Sequence, residues 1–76
     1  MSKMLLQALA KKLEGDIAVS RANIEIYKND SVGIGEHPEI VQAIETELEK
    51  YSEAQDKLEN LRKILDEGDT PTFIQD

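Results

Sequence analysis

The stretch NDSVGIGEHPEI, residues 29–40, separates two long segments whose apolar residues mirror each other across it. The second segment carries Val41, Ile44, Leu48, Tyr51, Ala54, Leu58, Leu61 and Leu65. Their steps of three and four are the spacing of one helix face. The first carries Leu6, Leu9, Leu13, Ile17, Ser20, Ile24 and Tyr27 in the same steps. If the chain folds back at its middle, facing residues must keep a constant index sum. They do: Ile24 with Ile44, Ser20 with Leu48 and Ile17 with Tyr51 total 68. Leu13 with Ala54, Leu9 with Leu58 and Leu6 with Leu61 total 67. Large residues meet small ones at Ser20/Leu48 and Leu13/Ala54, which suits interdigitation. The pattern predicts an all-α fold, an antiparallel two-helix hairpin.

Local signals place the helices. The first is expected over about residues 3–28, which lack proline and are rich in Leu, Ala, Lys and Ile. Ser2 suits an N-cap and Asn29 the left-handed C′ position. The second is expected over about 38–67, with Pro38 in the first turn and Glu39 at the positive end of the dipole. Gly68 is a natural stop. Residues 1–68 thus form one hairpin with a loop at 29–37, and residues 69–76 form an acidic C-terminal tail. Glu53/Lys57 and Glu59/Lys63 have the favourable i, i+4 order.

A hairpin of this length is short of core. A chain of 76 residues buries only about 60% of its unfolded surface. Small folds of this size usually need a staple. There is no cysteine, and a lone histidine, His37, is too few for a zinc cage. Self-association remains. A dimeric four-helix bundle or a higher oligomer is therefore expected, with coiled-coil knobs-into-holes contacts.

The first helix holds a second stripe that fits this need: Leu5, Ala8, Lys12, Gly15, Val19, Ala22 and Ile26. Every second position is small, which lets two helix backbones approach closely and gives Gly15 a packing reason to sit mid-helix. The competing reading makes Ala a mere helix former and Gly15 a local break. Lys12 can lay its stem along the stripe while its charge reaches water. The second helix has a weaker outer row, Ile40, Ala43 and Glu47, so the oligomer contact is expected mainly on the first helix.

Charge narrows the partners. Sixteen acidic residues against nine basic ones give a net charge of −7. This disfavours nucleic acid and anionic membranes, both of which are bound through Lys and Arg. It favours basic proteins. No apolar run is long enough to span a bilayer, and the N-terminal residues do not form a convincing signal peptide. A cytoplasmic setting follows as the expectation.

Motifs for chemistry are weak. GIG at 33–35 starts like a dinucleotide fingerprint, but no strand precedes it and Pro38 stands where the third glycine belongs. Val32 and Ile34 are better read as plugging the end of the bundle, with Gly33 and Gly35 supplying the backbone angles. His37 and Glu36 offer too few ligands for a metal. Asp16 is expected to hydrogen-bond Tyr51 or Ser52 across the hairpin. No nucleophile–base constellation is present, so no catalytic, cofactor or metal site is expected, and the chain is read as a non-enzyme. The acidic face of the second helix (Glu45, Glu47, Glu49, Glu53, Asp56, Glu59) is interrupted by Lys50 and Lys57. In the tail, Phe73 and Ile74 stand out. Either they fold back on the hairpin or a partner chain, or they form a linear docking motif.

The stretch VGIGEHPEIVQAIETELEKYSEAQDKLENLRKIL, residues 32–65, resembles small uncharacterised helical-hairpin proteins of tailed bacteriophages. The VGIGEHP turn carries the likeness, with LEGDIAVSRANIEIY before it. The resemblance implies a phage accessory protein made in the host cell cytoplasm and assigns no catalytic residue. The expected function is a self-associating interaction or regulatory module. Two alternatives stand beside it: an acidic inhibitor or nucleic-acid mimic of a basic host protein, and a small-molecule binder formed at an oligomer interface.

Overall fold

The computed structural model describes residues 2–29 and 38–67. Two helices fill them: α1, Ser2–Asn29, and α2, Pro38–Glu67, packed against each other. The second has the expected bounds, and the first extends one residue further at each end. α1 is unbroken at Gly15. The reading of Gly15 as a local break is therefore excluded. Asn29 belongs to the helix rather than lying past it. The loop residues Val32, Gly33, Ile34, Gly35, Glu36 and His37, and all of the tail, lie outside the described residues.

Leu13, Ala54, Leu58 and Leu61 form the buried core, with Leu6, Ala10, Ile17 and Leu65 packed against it. Three expected core residues are displaced. Leu9, Val41 and Leu48 are exposed, at 45%, 54% and 50%. The inward places belong to their neighbours Ala10, Ile40 and Glu47. The reason is geometric. With Ala10, the inner positions of α1 become 6, 10, 13, 17, 20, 24 and 27, a strict alternation of four and three. With Glu47, those of α2 become 40, 44, 47, 51, 54, 58, 61 and 65, the same alternation. A repeat of 3.5 residues keeps one seam facing the partner over the whole length. The steps through Leu9 and Leu48 break that repeat and carry the side chain to the flank. The row Ile40, Ala43 and Glu47, expected to face outward, is accordingly half-buried.

Polar contacts beside the seam have larger index sums than the pairs expected within it. Asn23–Glu47 and Glu14–Arg62 are hydrogen-bonded across the hairpin. Their indices total 70 and 76. Helical side chains lean toward their own N-terminus. In antiparallel helices both partners lean toward lower numbers, so a side chain meets a residue of higher index than the one level with it. Long side chains such as Arg62 stretch the offset further.

The molecule measures 55 × 26 × 14 Å. Its least dimension is that of a single helix with its side chains. The hairpin is one layer thick, and no described side chain is fully enclosed.

Candidate functional site

α1 turns its second stripe away from α2. Leu5, Ala8, Lys12, Gly15, Val19, Ala22 and Ile26 are all exposed, with Leu5, Val19 and Ile26 at 72%, 60% and 63%. The cause is the heptad itself: residues one and two places from the inner positions project to the far side of the helix. A Cβ placed on Gly15 would meet nothing within 4 Å. Nothing in the hairpin itself therefore requires glycine there, although it costs about 1 kcal/mol against alanine in a helix interior. Lys12 reaches back along its own helix to Asp16, Nζ to Oδ2 at 2.8 Å.

That pairing corrects one expectation. Asp16 binds Lys12 rather than Tyr51 or Ser52. Tyr51 instead lies near the guanidinium of Arg21, which donates to Glu25 at 3.3 Å. The hydrogen bond to Glu25, then that to Tyr51, holds the Arg21 guanidinium above its usual pKa. The group gains affinity for its proton, so its contribution is complete below the ordinary arginine range and is lost only above it.

A polar layer lies beside Ser20, which is buried. Glu47 occupies an inner position of α2 with its side chain 13% exposed. Asn23 Nδ2 donates to one carboxylate oxygen at 3.1 Å, and Lys50 Nζ approaches the other at 3.4 Å. These contacts offset the cost of holding a carboxylate near the seam. Sequence reasoning put Glu47 on the acidic outer face. The signal that locates it is the uninterrupted 4-3 spacing, which outranks residue polarity here.

Along this side runs a groove of about 320 Å³, floored by Leu13, Ser20 and Ala54. Lys12, Lys50 and Lys57 line it with Asp16, Glu47 and Glu53. These six pair among themselves, Lys57 with Glu53 at 4.0 Å. The rim is thus electrically balanced in an acidic chain. The anticipated Glu59/Lys63 bridge is not among the ion pairs of the described helices.

Charge divides unevenly between the helices. α1 has five basic and three acidic residues, net +2; α2 has four basic and nine acidic, net −5. Among the described residues no group of three or more His, Asp or Glu side chains is placed to hold a metal ion, and no helix is long and apolar enough to cross a membrane. Phe73 and Ile74 lie outside the described residues.

No family model, curated protein or solved structure matches the chain.

Proposed function

We propose that this chain is a non-enzymatic, self-associating helical module whose outward face of α1 is the contact between copies. The exposure of the whole stripe from Leu5 to Ile26 on a one-layer molecule carries the reading. Area supports it. The chain exposes 6010 Å², whereas a compact monomer of 8.5 kDa exposes about 4,700 Å². A standard interface removes about 800 Å² from each partner.

The stripe also favours one orientation. Its larger residues (Leu5, Lys12, Val19, Ile26) alternate with small ones (Ala8, Gly15, Ala22). Antiparallel helices pair the two alternating positions with each other, so each layer sets a large side chain on a small one. Parallel helices would set Lys12 against its own copy. The resemblance of residues 32–65 would make the assembly an accessory protein of a tailed phage, working in the host cytoplasm.

Sedimentation velocity tests the reading. A dimer or larger species is expected at micromolar concentration, and Ala22→Arg is expected to dissociate it while keeping the helical circular dichroism. A folded wild-type monomer under those conditions would refute it.

A further inference from the structure

Beside the outward stripe of α1 runs a flanking row at steps of seven: Met4, Lys11, Ala18 and Glu25. Its two charges are opposite in sign and equidistant from Ala18, Lys11 seven residues before it and Glu25 seven after. Such a row is self-complementary when two copies run antiparallel, because a half-turn sets each cation on the other copy's anion. We infer that two copies of α1 pair antiparallel about a two-fold axis at Ala18, with each Lys11 facing the partner's Glu25. The inference rests on the reading of α1 as the contact between copies and adds the residues that set its register.

Three observations favour this alignment. The first is that the stripe, which is separate from the charged row, has nearly the same centre. Its large-on-small pairs fall as Val19 with Gly15, Ile26 with Ala8 and Lys12 with Ala22, each pair equidistant from residue 17. The flanking row centres one residue later, an offset that the lean of both side chains toward their own N-termini closes. The second is what the alternatives do. Sliding the copies by one heptad sets Met4 on Glu25 and Lys11 on Ala18, and a parallel pair sets Lys11 and Glu25 each level with its own copy. The third is the charge of the whole hairpin. The stripe turns away from α2, so contact through α1 leaves the two copies of α2, net −5 each, on opposite outer edges where they repel least.

The contacts that these residues make within α1 leave room for the new ones. Lys11 lies 3.9 Å from Glu14 and Glu25 accepts from Arg21 at 3.3 Å, yet all four side chains are at least 41% exposed. On the other flank Asp16 falls near the axis, and its bond to Lys12 at 2.8 Å makes each copy's contribution there a neutral pair.

The natural chain has no cysteine, so single cysteines in the full chain carry spin labels at chosen sites. Labels on Ala18→Cys should lie within about 20 Å of each other, and labels on Met4→Cys, two heptads away on each copy, about 42 Å apart. Met4→Cys labels within about 20 Å would show a parallel pair, and about 30 Å the register one heptad away. Either result would overturn the inference while leaving α1 as the contact. Charge exchange gives a second readout, by sedimentation at low salt. Lys11→Glu and Glu25→Lys should each weaken dimerisation about tenfold, and the two together in one chain should restore it to within about twofold of the natural protein. Losses that add in the double variant would overturn the inference. A natural chain that stays monomeric would remove the contact itself and the inference with it.

Discussion

The two halves of the hairpin are built differently. Toward the open end, Leu6, Ala10, Leu13 and Ile17 meet Ala54, Leu58, Leu61 and Leu65 in an apolar seam. Toward the loop, Ser20, Asn23 and Glu47 put polar atoms at or beside the same seam, and Asn23 bonds Glu47 across it. The open half gains stability from apolar burial, which has no directional preference. The loop half has directed bonds that suit one alignment of the helices. Apolar layers alone distinguish weakly between registers a heptad apart, because burial has no directional preference. A slide would separate Asn23 from Glu47 and leave the half-buried carboxylate without that donor, so the polar half selects the register that the apolar half stabilises.

The largest test of this contrast is Leu58→Ala, which empties the open-end core. It should cost about 3 kcal/mol in urea unfolding at fixed protein concentration. A loss under about 1 kcal/mol would mean that the core lies elsewhere.

Replacing the polar layer should act in the opposite direction. Glu47→Leu removes a half-buried carboxylate and continues the apolar seam, and it should stabilise the hairpin by about 1 kcal/mol. A destabilisation of that size would show that the Asn23–Glu47 contact contributes net stability and would erase the distinction between the halves. The smallest effect belongs to Arg62→Ala. The Arg62–Glu14 bridge at 3.2 Å has side chains 61% and 44% exposed, so its loss should cost no more than about 0.5 kcal/mol. A loss above about 1 kcal/mol would make exposed bridges part of the hairpin's cohesion.

Much of the candidate surface was legible before the fold. The stripe from Leu5 to Ile26 could be read because its period of three and four is independent of what it faces, and all seven residues are exposed on α1. The polar layer was not legible. Glu47 sits next to Leu48, and ranking by hydrophobicity places the leucine inside. Leu9 masked Ala10 in the same way. The hydrogen bond from Asn23 to Glu47 joins residues 24 positions apart, and no local signal marks either member. Gly15 was half legible: the sequence raised both a break and a close approach, and the unbroken helix removes the break.

The sequence by itself determined that two helices form, where they begin and end, and that they fold back antiparallel. These follow from local causes: helix propensity, Pro38 at a first turn, and apolar residues recurring at the helical period. Only the tertiary structure decided which of two neighbouring residues turns inward and which polar side chains meet beside the seam. Those depend on keeping a 3.5-residue seam aligned along two whole helices and on the lean of every side chain toward its own N-terminus. A long-range geometric condition of that kind can place Ala10 and Glu47 inside while leaving two leucines at the flank.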